Sequence, residues 1–250
     1  MHSRWTPQVS THPCSVVTPV DERAHGAGVH SISALLDLAV GRRCLGCSDV
    51  GPSWCDECLR RAVDVHHRET PCSVAVVAGA RYRGTVRAAI IGHKEHGQLA
   101  LATPLGRLLA AALIAGGNAA PSAGAVLIPV PSTRSATRAR GQDHAHRVAR
   151  RAGSFAGLSA MAALRWERPV RDQSGLSVLD RRTNVSGAMV ASPPTAAGAP
   201  AVLVDDVMTT GSTLDEGRRA LTMAGHRVVQ VCVVAAVDTQ RTLAPSDRLR

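Results

Sequence analysis

Two adjacent acids, Asp205 and Asp206, are followed, after two intervening apolar residues, by a run of small and hydroxyl-bearing residues: Thr209, Thr210, Gly211, Ser212 and Thr213. Carboxylates do not bind phosphate, but they accept hydrogen bonds from sugar hydroxyls and hold Mg²⁺ directly or through water. Hydroxyl donors and a glycine do the complementary task, because they donate to phosphate oxygens and let the backbone approach closely. Side by side, the two sets suit a sugar phosphate. The elements around them agree. The run AVLV at 201–204 has the character of a strand buried on both faces. A helical pattern runs from about 212 to 224, with Gly225 placed to end it in a left-handed conformation. A second apolar run at 228–237 predicts a parallel neighbour strand. The hydroxyl loop therefore leads into a helix start, where free N–H groups and the helix dipole attract phosphate.

A second cluster points to metal. Cys44 and Cys47, then Cys55 and Cys58, form two C-x₂-C pairs. Each pair can grip one side of a tetrahedral Zn²⁺, giving a closed four-thiolate site whose role is structural. A segment of this length buries little core, so the metal supplies much of its folding energy. Of the other cysteines, Cys14 falls in an N-terminal stretch without periodicity, Cys72 borders a strand and Cys232 reads as a small core residue.

Arginines gather downstream of a third apolar run, AVLIPV at 125–130. Ser132, Thr133 and Arg134 follow it, and from Arg134 to Arg151 there are six arginines against the single acid Asp143. Arginines on a loop after a strand are suited to gripping a pyrophosphate in bidentate fashion. A helix is expected from about residue 142, and its Arg147, Arg150 and Arg151 read either as ligand contacts or as a solvated basic face. Mixed charge and Gly175 around Arg171, Gln173, Arg181 and Arg182 suggest a mobile segment able to fold over a bound anion. Between two helical patterns, at 85–93 and 105–115, lies HKEHG, which carries Lys94 and reads as a solvated helix end. Strands are also expected at 73–82 and 161–166.

Bulk properties set the bounds. The net charge of +10 fits either nucleic acid or an anionic small molecule. Aromatics make up 2% of the chain, too few for a platform that stacks single-stranded bases. No apolar run is long enough to span a bilayer, and the N-terminus lacks an apolar signal core, so a cytoplasmic protein is expected. Four segments are expected: an extension at 1–40, a four-cysteine module at 41–70, an α/β domain at 71–240 and a tail at 241–250.

The contiguous block at 201–213 resembles the phosphoribosyl-pyrophosphate (PRPP) motif of type I phosphoribosyltransferases. The paired C-x₂-C, Tyr82-Arg83-Gly84, Lys94, Pro129-Val130-Pro131, Arg140-Gly141, Gln173, Gly175-Leu176-Ser177, Arg181-Arg182 and Asn184-Val185 extend the likeness. Together they resemble the ComF family over about residues 41–238. The resemblance implies a type I phosphoribosyltransferase fold, a parallel sheet flanked by helices, with a small N-terminal zinc-ribbon-like module. It implies PRPP held with Mg²⁺: the 5′-phosphate in the loop at 209–213, ribose hydroxyls on Asp205 and Asp206, and pyrophosphate near Ser132, Thr133 and Arg134. It also implies a link to DNA uptake or nucleotide metabolism, with single-stranded DNA or a DNA-uptake helicase as partner, either beside transferase activity or in place of it. Two departures are specific. Arg140-Gly141-Gln142-Asp143-His144 stands where the family shows R-G-F-N-Q, and Thr209 stands where purine-salvage enzymes carry an acid. No catalytic residue is identified.

Overall fold

The computed structural model of the protein describes residues 43–117, 124–132, 143–170 and 183–238. Its centre is a five-stranded sheet in the order β1-β2-β7-β6-β3. The strands are β1 (His66–Glu69), β2 (Ala75–Arg81), β3 (Val126–Pro129), β6 (Pro200–Met208) and β7 (Arg227–Ala236). All neighbours are parallel except the edge pair β1 and β2. Parallel strands are covered on both sides and so are apolar without alternation, which is how the segments of β2, β3, β6 and β7 read. Within β6, Val202 and Val204 join one core layer while Ala201 and Leu203 join the other.

Five described helices complete the frame: α1 (Asp56–Ala62), α2 (Gly84–Glu95), α3 (Ala102–Ala115), α4 (His144–Ala156) and α5 (Ser212–Met223). Helices α2, α3 and α4 supply the first core layer, through Ile90, Leu105, Leu108, Leu109 and Val148. Helix α3 lies so close to β2 that a Cβ on Gly79 would meet the Leu108 carbonyl oxygen at 2.0 Å, so only glycine fits there. Helix α5 supplies the other layer, together with a two-stranded sheet of β4 (Leu164–Trp166) and β5 (Met189–Ala191). The mixed α/β architecture with a mostly parallel sheet flanked by helices matches expectation.

Several boundaries differ. The strand expected at 201–204 runs on to Met208, so both acids lie inside β6 rather than beyond it. Of the stretch at 161–166 only Leu164–Trp166 is strand, and β5 and β1 carried no usable periodicity. Strand β1 reads HHRE, a polar run that an edge position tolerates. It falls within the stretch expected to be the cysteine module, yet pairs with β2 from His66 to Glu69. Cys44, Trp54 and Leu59 are buried in the same cluster as Val77 and Leu108, so the cysteine region shares the main core. The expected extension and tail lie outside the described residues.

Candidate functional site

Strand β6 ends at Met208 and α5 begins at Ser212, with Thr209, Thr210 and Gly211 between them. Gly211 occupies the N-cap position at φ 85° and ψ −4°, a left-handed conformation that a Cβ resists. A Cβ there would also sit 2.9 Å from the Thr70 side chain. Gly211 offers no side-chain cap at this helix start, and uncapped helix N-termini expose N–H groups that attract anions. The Thr210 and Ser212 hydroxyls are 3.2 Å apart. Thr209 is exposed, Thr210 and Thr213 are half-buried and Ser212 is buried.

The turn between β1 and β2 supports this loop from behind. Thr70 Oγ1 donates to Asp215 Oδ1, and the Cys72 amide donates to Asp215 Oδ2 at 3.2 Å. Thr70 is buried, and its hydroxyl also accepts the Val74 amide at 3.2 Å. Sequence reasoning missed this brace, because its halves lie far apart in the chain.

The two acids are not equivalent. Successive residues of a strand start from opposite faces. Asp206 meets Lys94 of α2, with Nζ 2.9 Å from Oδ2. Asp205 Oδ1 instead accepts the Asp206 amide at 2.8 Å. Burial and the charge of Asp206 push the Asp205 carboxyl well above the usual range. Burial works the same way on Asp206, but the Lys94 ammonium outweighs it and holds that carboxyl below its ordinary value. The two carboxylates therefore make different contacts within the protein. The Asp206 side chain keeps 20% of its surface exposed beside Lys94.

The solvated-helix-end expectation for HKEHG holds for Glu95, His96 and Gly97, which are exposed, but not for its first two residues, and Lys94 is half-buried in its ion pair. The preceding His93 is buried at 3% exposure, and its Nδ1 lies 3.3 Å from the Gln98 carbonyl oxygen. Its ring meets His144, the first residue of α4, edge-on at 5.0 Å. The end of α2, the start of α4 and Asp206 thus meet at one point. The signal available in the sequence was that Lys94 is the only lysine in the chain.

Strand β3 is the parallel neighbour of β6, with Pro129 opposite Val204. Ser132 follows it and is half-buried at the same edge of the sheet. Thr133, Arg134, Arg171, Gln173, Arg181 and Arg182 lie outside the described residues. Their flanks are anchored, however. Trp166 Nε1 donates to the Pro131 carbonyl at 2.8 Å. On the far side, buried Glu216 accepts the Met189 amide at 2.9 Å while Arg219 donates to the Met189 carbonyl at 2.9 Å. Helix α4 begins at His144 and is capped by the Asp143 side chain, which accepts the amides of Ala145 and His146. Its Arg147, Arg150 and Arg151 line a groove of about 450 Å³ with His146 and Ser154.

The four cysteines come together as expected: the sulfurs of Cys44, Cys47, Cys55 and Cys58 all lie within 4.8 Å of one another. The Gly46 and Cys55 amides donate to Cys44 Sγ, each at 3.3 Å. Burial raises Cys44, but these and the Cys47 backbone outweigh it and bring the thiol down to about 6. Cys58 is pushed up to about 12, chiefly by its hydrogen bond with Cys55. Four thiols at this separation cannot all ionise without a cation, and the donor set fits a structural Zn²⁺.

Among the described residues no helix is long and apolar enough to cross a membrane. No family model matches the chain, and no curated protein matches it.

Proposed function

We propose that this protein is a PRPP-binding member of the ComF family with a type I phosphoribosyltransferase fold, and that it carries a structural zinc. The observation that carries the reading is the loop from Thr209 to Thr213, a glycine-turned and uncapped helix start at the carboxyl end of a parallel strand, next to a half-buried acid. The 5′-phosphate binds the α5 amides and the hydroxyls of Thr210, Ser212 and Thr213. Asp206 accepts a ribose hydroxyl, or meets Mg²⁺ through water. Asp205, whose Oδ1 accepts the Asp206 amide, is the second acid that the resemblance assigns to the ribose hydroxyls. The pyrophosphate is assigned to Ser132, Thr133 and Arg134 as the resemblance implies; of these, Ser132 follows β3 at the same sheet edge. In a transfer reaction an acceptor nucleophile bonds to ribose C1 as the C1–O bond to pyrophosphate breaks, and both electrons of that bond leave with the pyrophosphate. The charge that develops on the leaving group is what arginines and a Mg²⁺ carried by the ligand stabilise.

Calorimetry with PRPP and Mg²⁺ tests this. Wild type gives a saturable heat and Asp206→Asn weakens it at least about tenfold, as expected for loss of a charge-assisted hydrogen bond. No heat from either protein rejects the reading.

The α4 groove supports a second reading, a scaffold that binds single-stranded DNA or a helicase without turnover. The Arg147 Nε there is buried with no hydrogen-bond partner. Phosphate-backbone binding by three arginines gives a slope of about −2 in log K against log salt for a single strand. A flat titration removes the nucleic-acid half of this reading.

A further inference from the structure

Lys94 is the only lysine in a chain whose other strongly basic side chains are all arginine. It stands one residue before the end of α2 and makes its ion pair with Asp206, on the strand that carries the phosphate loop. Neither side chain is sealed in, with 41% of the lysine and 20% of the aspartate exposed. Behind them the wall is closed. Ile90, His93, His144 and Val148 help enclose a void of only about 10 Å³, no larger than a single water. Asp206 can therefore change partner only toward the open edge of the sheet, where the loop at Thr209 begins.

The choice of lysine matters at this position. An arginine presents a planar fork that grips a carboxylate through two parallel hydrogen bonds, whereas a lysine offers a point charge on a flexible stem. Elsewhere the protein uses arginine for fixed clamps. Arg81 holds Asp64 and Asp238 together, and Arg219 grips Glu216 through two nitrogens. At the candidate site alone, the counter-ion is of the kind that can let go.

We propose that Lys94 is a releasable counter-ion: it occupies Asp206 while the site is empty and yields that carboxylate to the ribose hydroxyls of an incoming sugar phosphate. This rests on the reading of the β6 edge as a sugar-phosphate site. A ligand without sugar hydroxyls, such as inorganic phosphate, leaves the pair intact and binds more weakly. Asp206 makes the selection for the sugar, and the lysine neutralises that carboxylate until a sugar hydroxyl replaces it.

The test uses the full zinc-loaded chain as wild type, Lys94→Arg and Lys94→Gln, with PRPP and Mg²⁺ in a calorimeter and melting temperatures taken without ligand. The expected order is unusual for a conservative substitution. Lys94→Arg melts highest but binds PRPP about tenfold more weakly than wild type, because its fork does not release. Lys94→Gln melts lowest and binds at least as tightly as wild type. A lysine with a purely structural role gives the opposite order, with arginine restoring affinity and glutamine losing it, and that result overturns the proposal. Because residue 94 is the only lysine, its acylation by an N-hydroxysuccinimide ester, read by mass spectrometry, reports its release directly. PRPP accelerates labelling at residue 94 and inorganic phosphate does not. Unchanged or slowed labelling in the presence of bound PRPP overturns the proposal and leaves the ligand reading standing. No PRPP binding by any of the three proteins overturns both.

Discussion

The four-cysteine region and the carboxyl edge of β6 are both polar clusters set against an apolar core, but they are assembled in opposite ways. The cysteine site comes from one short stretch, and its ligands Cys44 and Cys58 lie within 15 residues of each other. Local chain geometry brings the sulfurs together, and a bound metal would close the site. The β6 edge draws on residues from four parts of the chain: Thr70, Lys94, Ser132 and the loop at 209–213. There the sheet does the assembling, and fixed side-chain braces replace the metal. A cluster of the first kind fails when its ion is removed, whereas one of the second kind fails brace by brace.

The largest effect separates the two directly. Cys44→Ser, or exhaustive chelation, removes a metal whose binding contributes on the order of 10 kcal/mol in zinc-bearing modules. Zinc per chain falls from one to near none, and limited proteolysis opens the segment around residues 43–65. Because Trp54 and Leu59 share the main core, the melting temperature of the whole chain drops as well. An unchanged melting temperature would show the cysteine region to be an independent unit after all.

At the other region, Gly211→Val combines a left-handed backbone with a Cβ 2.9 Å from Thr70. The expected cost is about 2–4 kcal/mol, read from chemical denaturation, with loss of phosphate binding and no change in zinc content. Glu216→Ala leaves the Met189 amide without its acceptor and costs about 2–3 kcal/mol. Its pH dependence has a definite sign. Burial raises the Glu216 carboxyl, but Arg219 and the backbone amides outweigh it and hold the group below 4.5. The stability it contributes is therefore complete above about pH 4.5 and is lost as the pH falls further. Glu216→Gln abolishes that acid-side loss, and an unchanged acid limb would show that Glu216 is not held as described. The smallest effect is at the brace behind the loop. Thr70→Val unpairs Asp215 Oδ1 and the Val74 amide and costs about 1–2 kcal/mol, with phosphate affinity falling more than stability alone requires.

The same contrast governs what could be read in the chain. Buried parallel strands announced themselves as apolar runs, and the two C-x₂-C pairs and the T-T-G-S-T loop were legible because their chemistry is local in sequence. Lys94 was not, since it meets Asp206 only through the crossing of α2 over the sheet. Nor was the brace of Thr70 on Asp215, or the Trp166 bond to Pro131, each of which joins residues from separate elements. Strand β1 escaped because a polar edge strand lacks a hydrophobic period, and β5 because three residues are too few to show one. The extent of β6 was misjudged for a related reason. Ladder pairing with β7 carries the strand through two acids that taken alone would end it.

The proposed function stands or falls on whether the start of α5 cradles a phosphate. Backbone amide chemical shifts on titration with PRPP and Mg²⁺ test it most directly. The predicted result is that the largest perturbations fall on the amides of residues 210–214, with smaller ones at Asp206 and Lys94. Perturbations confined to α4 around Arg147 and Arg150, or absent altogether, would contradict it.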